Sequence, residues 1–279
     1  MFSGCTSLVS APDLPATTLA DGCYRSMFAG CTSLKHAPAL PATTLADSCY
    51  NGMFSGCTSL ISAPDLPATQ LAYACYYDMF YGCSSLPNAP QLPATKMESY
   101  CYNEMFYNCI SLTSAPNLPA TELALGFYRS MFSGCTNLKQ APDLPATQLA
   151  SGCYRHMFYQ CESLKTLPVL PATTLTEACY EQMFYGCTRI RLSTVSVDKY
   201  TVPYRIPSTE ETGTTAEDAV VDMFANTGGP FTGTPDLNTI YYLHDGSGYI
   251  LRVNGKPVNK LNGKRVSHFT YNGTTYEVA

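Results

Sequence analysis

Apolar positions recur along this chain at a fixed interval of 26 residues, with Met-Phe pairs at Met1, Met27, Met53, Met79, Met105, Met131, Met157 and Met183. A constant interval of this size marks a solenoid or repeat array, in which one unit cannot bury its apolar face alone and neighbours stack to do it. The unit reads MF-x-x-C-x-[SN]-L-x-x-AP-x-LPAT-x-L-x-x-x-CY-x-x. Its second half spaces apolar residues four apart. Leu71, Cys75 and Met79, with Tyr76 and Phe80 beside them, cover one face, which predicts an amphipathic helix of about three turns. Thr69 and its equivalents Thr17, Thr43, Thr95, Thr121, Thr147 and Thr173 stand where an N-cap belongs, and Thr95 with Glu98 spells a capping box. Gly4, Gly30, Gly56, Gly82, Gly134 and Gly186 stand where a left-handed residue closes the helix. Asn108 suits that conformation and Gln160 suits it less.

The first half of the unit is short and extended. Leu8-x-x-Ala11 runs into Pro12 and Pro15, which donate no hydrogen bond, so any ladder strand spans only a few residues. Parallel strands stack about 4.8 Å apart and packed helices about 8–10 Å, so strands on one side and helices on the other predict a horseshoe with the strands inside.

Beyond Met183 the period slips. Ile190 takes the leucine position, Thr215 to Ala225 predicts one more helix, and Met223-Phe224 stands 40 residues after Met183-Phe184, one period plus a 14-residue insertion. Residues 1–189 therefore form the solenoid, of seven full repeats and the start of an eighth, and 190–238 a divergent terminal capping repeat. Residues 239–279 are a different material. Asn254-Gly255, Asn262-Gly263 and Asn272-Gly273 sit between alternating apolar and polar residues, which predicts a β-hairpin meander.

The C-x-[SN]-L-x-x-A-P-x-L-P core, following a predicted helix that ends in an aromatic, resembles the BspA-type leucine-rich repeats of bacterial surface proteins over roughly residues 1–190. The unit departs from the family's commoner spacings in its length and its second proline, and it carries Ala11 where a bulkier residue is usual. The resemblance implies an α/β repeat fold, a curved right-handed solenoid, on the cell surface or secreted, that recognises a partner without catalysis. The x-V-N-G-K-x-V texture of the tail is similar to C-terminal modules of phage tail or fibre proteins, which sets a virion component beside adhesion as a reading; a structural spacer is the third.

Composition narrows the partners. With 13% charged residues and a net charge of −5, the chain carries no basic footprint for nucleic acid. No apolar run reaches the roughly 18 residues of a membrane span. Met1 opens inside a repeat, without leader or N-terminal cap, which reads as a fragment. Of the 14 cysteines, eight share the position of Cys5 and six that of Cys23, where Phe127 stands in the fifth repeat. A slot that accepts Cys or Phe is apolar, so these read as core ladders and not as disulfides or a metal site.

Candidate chemistry is sparse. His36, His156, His244 and His268 are scattered, Asp218 and Asp222 read as an acidic face, and no phosphate loop or nucleophile elbow occurs. No cofactor and no enzyme is predicted. The positions left variable by the repeat predict the contact surface for a protein or glycan: Asp13, Lys35, His36, Asp65, Asn88, Gln91, Asn117, Lys139, Gln140, Asp143 and Lys165 on the extended, concave half. Tyr73, Tyr77 and Tyr81, four apart on the opposite side, are a second candidate surface.

Overall fold

The structure, a computed structural model, describes residues 1–197, 199–209 and 211–244, and within 245–279 the backbone of six short strands. The repeats stack as coils, numbered one to eight from their Met-Phe pairs, and no helix occurs among the described residues. The segment expected to be helical is a spiral of linked turns. Along 22–31 the odd-numbered amides donate to the carbonyl three residues back, Cys23 to Ala20, Arg25 to Gly22, Met27 to Tyr24 and Ala29 to Ser26. The even-numbered amides cross to the next coil, Gly22 to Asp47, Tyr24 to Cys49, Ser26 to Asn51, Phe28 to Met53 and Gly30 to Ser55, at 2.7–2.9 Å. Backbone donors that an α-helix would use internally thus bind coil to coil, which meets the requirement that buried amides be paired.

Every fourth residue of this spiral is left-handed, Gly22, Ser26 and Gly30 in one coil and Ala74, Asp78 and Gly82 in another. The closing glycines are left-handed as expected, and so are Asn108 and Gln160, but they end no helix. Thr95 and Glu98 accordingly cap none; the Thr95 amide donates to the Thr69 carbonyl at 3.3 Å. The last expected helix, 215–225, is another such spiral, with Asp218 and Asp222 left-handed. A four-residue turn returns i and i+4 to one face, as an α-helix does, and this makes the two indistinguishable by apolar spacing.

The coils therefore approach far closer than helices. Phenylalanine rings from Phe2 through Phe28 and Phe54 to Phe184 and Phe224 stack at 5.5–5.7 Å. Tyrosines from Tyr24 to Tyr180 stack at 5.7–5.9 Å. With no helices to hold one side apart, the reason to expect a horseshoe falls away. The strand half is equally spare, reduced to single-residue parallel bridges such as Ser10 to His36 and His36 to Ser62.

The core lies between the two halves, lined by the Phe, Tyr, Met, Leu and Cys columns. All 14 cysteines are free, and only Cys5 and Cys23, in the first coil, are exposed. The Cys5 column is also polar in one respect: the thiols of Cys57, Cys109 and Cys187 donate to the carbonyls of Phe28, Phe80 and Phe158 in the preceding coil, at 3.0–3.1 Å.

After coil eight the ladder steps across the insertion, Tyr180 to Ala219, Gln182 to Val221 and Phe184 to Met223. The inserted residues supply strands β1 (Leu192–Ser193) and β2 (Tyr200–Arg205), both antiparallel to β3 (Ile240–His244). Strand β3, from the segment assigned to the tail, thus joins the capping sheet. Tyr204 and Phe231 meet the last ring of the ladder, Phe224, edge-on at 6.2 and 6.4 Å, and close that end of the core. Three antiparallel strand pairs follow, Arg252–Val253 with Lys256–Pro257, Lys260–Leu261 with Lys264–Arg265, and His268–Tyr271 with Thr274–Glu277. The Asn-Gly turns expected between their strands lie outside the described residues.

Candidate binding surfaces

Three neighbouring rows run across the coils on the extended half. In the first, Val9, Lys35, Ile61, Lys139 and Lys165 are exposed. Its backbone is tied coil to coil: the Ile61 amide donates to Lys35, Thr113 to Pro87, Lys139 to Thr113 and Lys165 to Lys139, at 2.9–3.4 Å. Pro87 has no N–H to offer Ile61, so the row is interrupted there. The second row carries His36, Asn88 and Gln140, all exposed, with His36 Nδ1 and Ser62 Oγ 2.9 Å apart. Thr166 in the same row is instead buried, and its hydroxyl accepts the Ala141 amide at 3.0 Å. The third row presents Asp13, Asp65, Gln91 and Asn117, with Asp143 half-buried. A basic and apolar row therefore lies near an acidic and amide row, on a scaffold whose backbone is ordered before any partner arrives.

The three tyrosines of the opposite side do not form one exposed triad. Tyr73 is exposed and meets Tyr100 edge-on at 6.1 Å. Tyr81 is half-buried in a parallel stack with Tyr107 at 4.8 Å, and Tyr159 pairs likewise with Tyr185 at 4.7 Å. Tyr77 is half-buried beside Asp78 and Glu104, and burial raises its phenol above the ordinary range.

That neighbourhood is a polar ladder. Burial, then the Glu104 carboxylate one coil on, pushes Asp78 up to about 7. Burial raises Glu104 as well, against the opposing pull of Arg129. Arg155 pairs with Glu181 at 2.8 Å. Burial, followed by Arg155 and Arg129, lowers His156 to about 4, so this imidazole is neutral at physiological pH. Asp78 Oδ1, Asn103 Oδ1, Arg129 Nε and Arg155 Nε are buried without a hydrogen-bond partner.

A known repeat family matches these coils. The model of the BspA type leucine rich repeat region matches in six copies, over residues 1–139 and 99–202. The chain belongs to the BspA-type leucine-rich repeat family. Among solved structures it is similar to a leucine rich cell surface protein from Faecalibacterium prausnitzii A2-165, at 16% identity and a TM-score of 0.25, with 67% of this chain and 73% of that one covered. No curated protein matches.

In this BspA-type chain the polar ladder of Asp78, Glu104, Arg129 and Arg155 escaped the sequence reading. Its signal was present, as charges falling in two adjacent columns over consecutive repeats, but only coil-to-coil stacking at this spacing turns a column into a row of contacts. Among the described residues no group of His, Cys, Asp and Glu is arranged to hold a metal ion, and no helix is long and apolar enough to cross a membrane.

Proposed function

We propose that this chain is a recognition module of a cell-surface protein and that it binds an extended protein partner along the rows of the strand half, without catalysis. The observation that carries this reading is the tied backbone beneath Lys35, Ile61, Lys139 and Lys165. A surface whose main chain is already hydrogen-bonded pays little ordering entropy on association, and its side chains differ from coil to coil while the core columns beneath them repeat. Aliphatic Val9 and Ile61, 60% and 48% exposed, offer contact area, and the flanking lysines and aspartates offer register.

The test is binding of the purified chain to immobilised extracellular-matrix proteins, beside a variant with Lys35, His36, Lys139, Gln140 and Lys165 all changed to alanine. All five side chains are exposed, so the variant keeps the parent's unfolding midpoint. Saturable binding that the variant loses is the expected result. Binding that the variant retains in full overturns the assignment to this face.

A further inference from the structure

Besides the strand-side rows, the molecule has a cleft of about 570 Å³ at the corner between the extended half and the turn spiral. Its walls include Thr43 and Asp47 from coil two, Thr69, Gln70 and Tyr73 from coil three, and Glu98 from coil four. At this corner, parallel bridges join Gln70 to Lys96, Glu122 to Gln148 and Thr174 to Thr214. Coils two and three have no such bridge among the described residues, nor do coils one and two, four and five, or six and seven. Coils two and three are joined beside the cleft by the Ser48 amide, which donates to the Tyr73 carbonyl at 2.8 Å, and by Asp47 Oδ1, which accepts the Tyr73 amide at 3.1 Å, while the Asp47 amide donates to Asp21 Oδ1 at 3.2 Å.

We propose that this cleft is a binding site for a neutral pyranose sugar, stacked on Tyr73. Tyr73 is 48% exposed, and its contact with Tyr100 at 83° occupies at most one face of either ring, so a tyrosine face stays open. The negative face of an aromatic ring attracts the polarised C–H groups that line one side of a pyranose. Asp47 and Glu98 provide carboxylate acceptors for sugar hydroxyls, the stronger charge-assisted kind, and Thr43, Thr69 and Gln70 provide donors. No lysine or arginine lines the cleft, which disfavours an anionic sugar. The volume falls within the range of about 300–1,000 Å³ usual for small-ligand clefts. None of these residues belongs to the strand-side rows, so the proposal stands or falls apart from that reading.

Saturation-transfer NMR on the full chain tests it, with methyl glucopyranosides and galactopyranosides as neutral probes, methyl glucuronide as the anionic one and tetramethylammonium as a cation. The expected result is transfer to a neutral glycoside at millimolar concentration and none to the glucuronide. Tyr73→Ala should weaken binding roughly tenfold or more, as loss of an aromatic platform does. Tyr73→Phe keeps the stack and should bind within a few-fold of the parent, Glu98→Gln should bind less tightly, and Glu162→Gln, at an exposed position outside the cleft lining, should change nothing. The proposal is overturned by the absence of transfer to every neutral glycoside, by transfer undiminished in Tyr73→Ala, or by equal binding of the glucuronide. Preference for tetramethylammonium also overturns it, since the cleft would then be a cation–π site.

Discussion

The thiol of Cys135 donates to the carbonyl oxygen of Phe106, 29 residues earlier and one coil away, at 3.1 Å. That carbonyl already accepts the Cys109 amide within its own coil, so the thiol fills its second lone pair. Cys135→Ala removes this weak donor and leaves a small void in a fully buried column, and we expect a loss of about 1–2 kcal/mol. Cys5→Ala, the same position in the exposed first coil, should cost almost nothing. Urea unfolding of the two variants checks the difference.

Burial also governs thiol reactivity. It pushes Cys49 up to about 11 and Cys57 to about 12, so these groups stay as unreactive thiols at neutral pH. Brief treatment of the native chain with iodoacetamide should therefore label Cys5 and Cys23, and full denaturation should bring all 14 cysteines within reach. Mass spectrometry counts the adducts. Rapid labelling of Cys109 or Cys135 in the native chain would contradict the buried ladder.

Gln160 occupies a left-handed position, φ 56°, that is glycine in six of the eight repeats. Its side chain is exposed, so Gln160→Gly relieves the backbone and removes little packing; we expect a gain of about 0.5–1 kcal/mol. The converse, Gly134→Ala, sets a Cβ at φ 74° against Asn108 Oδ1, which an added carbon would approach to 2.0 Å, and should destabilise. The midpoints of thermal unfolding should move in opposite directions.

Asp78 and His156 set opposing pH limits. Asp78 holds its proton more tightly folded, at about 7, than unfolded, at about 3.9, so its contribution is greatest in acid and is lost as pH rises through about 7. His156 is held neutral, with its folded value near 4 against about 6.5 unfolded, so its contribution is present above about 6.5 and is lost as pH falls through about 4. Asp78→Asn should raise the unfolding temperature at about pH 8 and leave it unchanged at about pH 4, while His156→Gln should ease the acid loss. Thermal scans across pH check both limbs.

The apolar columns and the family were legible in the sequence, because a core that repeats every 26 residues must carry the same side chains at each step. The cysteine columns were legible for the same reason, since Phe127 in one of them rules out a bridge or a ligand there. Most positions of the strand half that a repeated core leaves variable are exposed, but Thr166 is buried and Asp143 half-buried. Tertiary structure alone decided what the backbone does between the columns. The spacing of Leu71, Cys75 and Met79 suits an α-helix and a four-residue turn spiral equally. The choice between them depends on whether the remaining amides bond within the coil or to the next one, as Tyr50 does to Cys75. That choice brings coils within 6 Å of one another at the aromatic ladders, and so makes Asp78 and Glu104 interact across coils. At the corner it leaves Tyr73 exposed beside the cleft that coils two and three line.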